Sequence, residues 1–363
     1  MDSKDKFKIL LAASIYPPDP GGPALHVKAF EDWLRGRGQD YDVVKLSKLR
    51  LVPFGLRHII YTYLLFKKAK DCDVIYGYDV YGVGLPAWLV AKLRRKKLII
   101  RVGGDIPWER SSGENKTDLS MKEWYRAEGY KKNFSYKVTR FVMRRTDRLI
   151  VPSSLLSELY ISYYNISSEK LVVIPNPVPK SKEGYAPYSE PRTFIFASRL
   201  VAYKNLSFVL DSLSHVFPDY PEIKFLIMGD GPESDRLKAK TRALGIGKQV
   251  VFSGKISQEE VEENTVSCYA GLAPALTEFN PNYILQCLSY GKPFLISNEN
   301  GLPFRVPDNL TFDPRSQLDF ENKLRMLLEQ ESYNQARKWA EENNFHMSWD
   351  DVFEANNKII KAL

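Results

Sequence analysis

Cysteine and histidine are scarce in this 363-residue chain, at three and four residues. Cys72, Cys268 and Cys287 make no C-x-x-C pair and have no His-rich neighbours, so neither a disulfide framework nor a metal site is expected. No apolar run approaches the ~18 residues that a membrane span needs. No G-x-G-x-x-G follows a predicted strand, which disfavours a dinucleotide-dependent oxidoreductase. No standard nucleic-acid-binding motif is present. The opening MDSKDKFKILLAAS sets lysines before an apolar run, as a leader peptide does. That run is short and passes into a Pro/Gly loop, LAASIYPPDPGG, so it reads as a first β-strand. A cytoplasmic location is expected, peripheral to the inner face of a membrane if the basic surface described below docks there.

What is present is a globular composition, 44% hydrophobic and 26% charged, in a chain too long for one ordinary core. Two domains are expected. The net charge of +8 is uneven: residues 1–178 carry 31 Lys+Arg and 19 Asp+Glu, a balance of +12, and the remainder carries −4. A basic first half points to an anionic partner, whether a phosphorylated substrate, a membrane surface or a nucleic acid.

Apolar, β-branched runs alternate with helical periods along the chain. Strands are expected at 7–14, 41–46, 73–78, 97–102, 148–153 and 171–176, then at 193–198, 223–230, 249–254, 269–274 and 293–297. Helices fall between them, including Ala24–Arg37, 56–70, Gly84–Arg95, a long one over 119–145, and 154–163. Continuous apolar runs suit parallel strands covered on both faces. Strand–helix alternation implies right-handed, doubly wound sheets. The segment 175–193, rich in Pro, Ser, Lys and Glu, has linker composition. SQEE at 257–260 is a capping box with Ser257 as N-cap, and Gln317–Leu363 reads as helical. The fold class is therefore α/β, with two Rossmann-like domains, 1–178 and 179–345, facing across a cleft and closed by C-terminal helices. Such sheets hold ligands outside the carboxyl ends of their strands.

Several residue groups fall at those ends. Gly21 and Gly22 separate the first strand from the first helix, where glycine lets backbone N–H groups approach an anion. A tight turn without a ligand explains them equally. Arg199 ends the first strand of the second half and Lys204 follows five residues on. An Arg fork and a Lys point charge suit a diphosphate, although solvated surface cations would read the same. Gly229 and Gly231 flank Asp230 in a strand-to-helix turn, and VVFSGKIS brings Lys255 and Ile256 to another strand end. In EFNPNYILQ, Asn280 reads as an N-cap and Pro281 as the first helical residue. The free N–H groups of Asn282 and Tyr283 would then form an anion site at the positive end of the helix dipole. Glu278 beside that site makes sense if a polyhydroxyl group attached to the phosphate needs an acceptor. Gln286 lies about 9 Å along the helix at ~1.5 Å per residue, near the depth of a nucleoside ribose. Simple capping plus a surface Glu is the alternative.

In this order and spacing, R-x4-K (Arg199, Lys204), GDGP (229–232), V-x-F-x-G (Val250–Gly254) and the E-x7-E-like segment from Glu278 to LSYGKP resemble the retaining glycosyltransferases of family 4. These have the GT-B fold and belong to a superfamily like that of glycogen synthase and phosphatidylinositol mannosyltransferase. GGPALHV, followed by a helix and RGRG, is similar to the family's opening, so the resemblance covers nearly the whole chain. It implies a C-terminal helix, 346–363, packing back toward the N-terminal domain. It implies a nucleotide-diphosphate sugar, UDP or GDP, bound mainly by the second domain. The acceptor saccharide, free or lipid-linked, would bind the first, with transfer proceeding with retention and without a metal or cofactor. It assigns Arg199 and Lys204 to the diphosphate, Glu278 to the donor sugar, and the backbone of Asn280, Pro281, Asn282 and Tyr283 to phosphate and sugar. Gln286 falls to the ribose, Gly229 to the donor, and backbone near Lys255 and Ile256 to the base. The Gly21–Gly22 loop would close on the diphosphate from the opposite side, with domain closure about the 175–193 linker. Fixed positive charge where the leaving group's charge develops is what a metal-free transferase needs.

Two departures stand out. Gln286 occupies the place of the family's second Glu, and an amide bonds a ribose diol without charge assistance. IIRVGGDIPWER lacks the His that many relatives carry after the fourth strand. Asp105 is the nearest polar group there and is the candidate contact to donor sugar or acceptor, with Arg101 and Glu109 in support and His26 a weaker candidate. A Gly-rich turn with Asp105 as a helix cap is the alternative. The segments 51–70, 93–97 and 130–148 mix apolar residues with clustered cations. Amphipathic basic helices suit docking on an anionic membrane near a lipid-linked acceptor, although an ordinary surface helix has the same pattern. The competing functions are a non-catalytic sugar-nucleotide-binding or scaffold protein with a degenerate site, and a nucleic-acid binder. No nucleic-acid partner is expected, because a phosphate cleft accounts for the charge.

Overall fold

The computed structural model describes residues 7–19, 21–114, 116–178 and 187–363. The lysines at 4 and 6 and the middle of the expected linker, 179–186, lie outside the described residues. The chain forms two compact units. The first comprises Met1–Pro107, Ala127–Pro175 and Trp349–Leu363, and the second Trp108–Arg126 and Asn176–Ser348. The strip Trp108–Arg126 falls inside the 1–178 segment in sequence but packs with the second unit.

The first unit is built on β1 (Ile9–Ala13), β2 (Tyr41–Lys45), β3 (Val74–Tyr78), β4 (Lys97–Arg101), β5 (Arg148–Val151) and β6 (Leu171–Val173), in the order β2-β1-β3-β4-β5-β6. The second is built on β7 (Thr193–Ala197), β8 (Lys224–Met228), β9 (Val250–Gly254), β10 (Ala270–Ala273), β11 (Phe294–Ser297) and β12 (Thr311–Phe312), in the order β12-β11-β10-β7-β8-β9. Every strand pairing is parallel. β1, β3, β10 and β11 are buried along their whole length, as their continuous apolar runs require. The two-residue β12 was not anticipated, since so short a strand has no readable period. In the first sheet the order reverses between β1 and β3, and in the second between β7 and β10.

The final helix, Trp349–Lys361, packs on the helix Gly22–Gly36 of the first unit. Phe353 stacks on Phe30 at 4.9 Å, and Trp33 Nε1 donates to Asp350 at 2.7 Å. The expected long helix over 119–145 is instead broken into Met121–Arg126, a 3-10 turn at Gly129–Lys132, and Phe134–Met143. Glu128 takes a left-handed φ of 58°, which ends the first piece. Asn133 caps the last, accepting the N–H groups of Ser135 and Tyr136 at 2.9 and 3.3 Å. A helix, Ile106–Gly113, follows Asp105, where the alternative reading of that residue put one. The capping box at Ser257 and Glu260 is formed as read from the sequence.

Two glycines let the loops after β7 and β8 lie against each other. Ser198 N–H donates to the Met228 carbonyl at 3.1 Å and Leu200 N–H to that of Asp230 at 3.0 Å, so the parallel ladder runs on past the strands. A Cβ added to Gly229 (φ 136°) would stand 2.0 Å from the Ser198 carbonyl oxygen, and one added to Gly231 would stand 2.2 Å from that of Leu200. Both contacts are with backbone, which cannot swing aside. Gly231→Ala is expected to destabilise the second unit by more than ~2 kcal/mol, whereas Gly247→Ala, where a Cβ meets nothing within 4 Å, should be near neutral. Equal midpoints in urea denaturation would contradict this.

Candidate functional site

Open α/β sheets hold ligands where strand order reverses, which in the second unit is between β7 and β10. The loops following those strands carry the charges singled out in the sequence. After β7 the chain passes Arg199 into a 3-10 turn, Ala202–Lys204, closed by Asn205 in a left-handed conformation. After β10 it leads through Glu278 into the helix Asn282–Ser289. Leu276 N–H donates to the Tyr203 carbonyl at 2.9 Å and ties the two loops together. Lys204 Nζ then meets both carboxylate oxygens of Glu278, at 2.8 and 2.6 Å. These side chains are only 11% and 10% exposed. Desolvation of so buried a pair offsets most of its attraction, so stability alone does not explain it. The sequence reading gave Lys204 and Glu278 separate partners; in the structure each is the other's partner, because the strand reversal makes their loops neighbours.

Arg199 is exposed at the same edge, open to an incoming anion. Gly229 N–H donates to the Gly254 carbonyl at 2.9 Å, which carries the edge on to the loop after β9. There Lys255 is exposed and Ile256 half-buried.

The start of the helix after Glu278 corrects the expectation. The helix begins at Asn282, and Asn280 makes no side-chain cap. Pro281, at φ −76° and ψ 66°, is the centre of an inverse γ-turn in which Asn282 N–H donates to the Asn280 carbonyl at 2.8 Å. That N–H is therefore not free for a ligand. The Asn282 side chain accepts from Asn280 at 2.6 Å and from Asn176 at 3.2 Å. Helix geometry still leaves the N–H groups of Tyr283 and Ile284 without intrahelical acceptors. The Tyr283 ring packs against the hydrophobic core, and burial pushes its phenol well above the ordinary pKa. Gln286 is buried, and its side-chain oxygen receives only a 3.5 Å contact from Gln258.

The remaining candidates lie in the first unit. Gly21, with φ 123°, occupies the N-cap of the helix Gly22–Gly36 and needs glycine for its backbone, whereas a Cβ at Gly22 would meet nothing within 4 Å. Asp105 follows β4 and is buried, accepting from the Tyr164 hydroxyl at 2.7 Å. β3 separates these two strand ends. Arg101 is buried and donates to the Ile174 carbonyl at 3.2 Å. His26 is enclosed by Tyr78, Trp349 and Phe353, with ring centroids 5.3 to 5.5 Å away. Burial, with the nearby Arg101 charge, holds its pKa well below the ordinary value. Its ring packs among these aromatic side chains.

The sequence reading missed an aromatic cluster and a polar relay beside Glu278. The Trp108 ring lies 5.3 Å from Tyr203 and 5.4 Å from Phe279. Thr277 and Glu299 bond to the chain at 120–122. One signal was available: SMKE at 120–123 has the spacing of a capping box.

Breaking the buried pair from one side tests its depth. Lys204→Met should destabilise the second unit by ~3–5 kcal/mol because it strands a carboxylate, and adding Glu278→Leu should recover much of that loss. Losses in urea unfolding that simply add would show that the two groups are not coupled.

A family model described as Glycosyltransferase Family 4 matches residues 14–182, and one described as Glycosyl transferases group 1 matches residues 178–344. A phosphatidylinositol N-acetylglucosaminyltransferase component from Arabidopsis thaliana is 25% identical over 85% of this chain and 71% of its own length. The gpi3 subunit of the Schizosaccharomyces pombe enzyme is 22% identical over 62% of this chain and 51% of its own length, so the chain spans about half of that relative. Among solved structures, Anabaena HepE in complex with UDP aligns at a TM-score of 0.71 and 14% identity, covering 98% of this chain and 100% of HepE. That likeness is one of fold.

Proposed function

The chain belongs to the family 4 glycosyltransferases of the GT-B type, and on that premise we propose that it transfers a sugar from a nucleotide-diphosphate sugar to a saccharide acceptor with retention. The observation that carries this reading is the Lys204–Glu278 pair at the reversal of the second sheet, with Arg199 exposed on the same edge. Arg199 offers its fork to the diphosphate, and Lys204 adds a charge whose position Glu278 fixes. Glu278, an acceptor held in place, suits a sugar hydroxyl. In the proposed front-side displacement, the bond from the anomeric carbon to the diphosphate oxygen breaks as the bond to the acceptor oxygen forms. The acceptor's proton passes to the departing diphosphate, so no enzymic base is required. The positive edge stabilises the charge that develops on the leaving group. UDP or GDP is the proposed nucleotide; the Anabaena neighbour was solved with UDP.

Arg199→Ala is expected to lower transfer at least ~100-fold and to remove the thermal stabilisation given by the correct nucleotide. A ligand at 100 times its Kd stabilises by ~2.7 kcal/mol, so a panel of UDP-, GDP-, ADP- and dTDP-sugars should single one out. Near-normal transfer by the variant would sink the assignment. Donor binding without turnover across a broad acceptor panel would favour a non-catalytic sugar-nucleotide binder, the reading that Gln286 motivates.

A lipid-linked acceptor fits the first unit's surface. The helix Phe54–Lys68 turns Tyr61 and Leu65 inward, yet Leu56, Ile59 and Tyr63 are at least 50% exposed, as is Leu51 just before it. The helix packed against it, Gly84–Arg94, exposes Leu85, Leu89 and Leu93. Lys67, Lys70, Lys92 and Arg95 are exposed on the same two segments. Apolar side chains bordered by cations suit the headgroup region of an anionic leaflet. Among the described residues no helix is long and apolar enough to cross a membrane. Co-sedimentation with vesicles containing phosphatidylglycerol should fall at least about tenfold in Lys67→Glu/Lys70→Glu and also in Ile59→Asp. Binding that is indifferent to lipid charge would overturn membrane docking through this face.

A further inference from the structure

We propose that Trp108–Arg126 is a strap that positions the Glu278 carboxylate, acting through Thr277, Glu299 and Phe279; its catalytic consequence rests on the reading of Glu278 given above. Glu278 stands in extended backbone. It bridges to Asn300 in parallel fashion, its N–H donates to the Glu299 carbonyl at 3.0 Å, and its carbonyl accepts from Gly301 N–H at 2.8 Å. Successive side chains of an extended run point to opposite sides. Thr277 and Phe279 therefore share the side away from Glu278, and the strap holds both.

Thr277 is fully buried; its hydroxyl accepts Met121 N–H at 2.8 Å and donates to Glu299 Oε1 at 2.7 Å. The same Glu299 oxygen accepts Lys122 N–H at 3.0 Å, and its other oxygen accepts the Ser120 hydroxyl at 2.8 Å. On the other flank, the buried Trp108 meets Phe279 edge-on and also lies against Tyr203, the residue before Lys204. One tryptophan thus braces both loops that supply the ion pair. The strap is itself fixed: Ser120 N–H donates to Glu123 Oε2 at 3.1 Å, and Glu123 pairs with Arg315 at 2.6 Å. Thr277 and Glu299 act through Glu278 and are positioning residues.

The test measures the Lys204–Glu278 coupling by a double-mutant cycle in urea unfolding, first in the native background and then with Thr277→Val, which keeps the volume and removes the hydroxyl. Expressed as a factor in the unfolding equilibrium constant, the coupling is expected to fall at least about tenfold, and Thr277→Ser is expected to restore it. Unchanged coupling overturns the proposal. If Thr277→Val does not fold, Glu299→Gln gives the same readout. Once a transfer assay is in hand, kcat should fall roughly 100-fold with little change in the donor KM. Lost coupling in a protein that transfers no sugar leaves the strap's role standing and removes only the transferase reading.

Discussion

The loops at the reversal of the second sheet are arranged around one buried ion pair. A lysine and a glutamate, nine-tenths withdrawn from solvent, meet at 2.6 Å on loops that follow strands far apart in sequence but adjacent in the sheet. Charges removed from water need partners in fixed geometry. The Tyr203 carbonyl, the Glu299 backbone and the Trp108 ring each restrain one side of that geometry. What looks like an ordinary ion pair is therefore an arrangement that packing holds in place at the edge where such sheets take ligands.

The two units use their strand ends differently. In the second, the glycines at 229 and 231 let backbone lie on backbone, so polar groups line an open edge next to an exposed Arg199. In the first, the ends of β3 and β4 carry Tyr78 and Arg101 into a buried neighbourhood closed by His26, Trp349 and Phe353. The chain's excess positive charge belongs to the segment that supplies most of this first unit, whose helices also expose leucines to solvent. The membrane docking proposed above rests on that surface.

Strands were the most legible feature, because buried parallel strands read as unbroken apolar runs and their loops are rich in glycine and proline. The capping box at Ser257 was legible for a similar reason: its chemistry is local. Errors fell where a local signal was weak or overruled. The Met121–Arg126 helix ends at a left-handed Glu128, a conformation no residue type announces. Asn280 has the composition of a cap, but Pro281 turns the chain so that the Asn280 carbonyl, not its side chain, accepts the Asn282 N–H. Asp105 and Glu278 were both visible as carboxylates at strand ends, but not that a tyrosine hydroxyl holds one and a lysine the other.

The sequence by itself determined the α/β class, the alternation that gives two parallel sheets, the uneven charge, and the set of residues at strand ends, because each depends on spacing within about a dozen neighbours. Tertiary structure decided which of those residues meet. Lys204 and Glu278 lie 74 positions apart, and the strap reaches Glu299 from 179 positions away. Contacts over such separations follow from strand order and chain reversal, which are properties of the closed sheet and of no single segment.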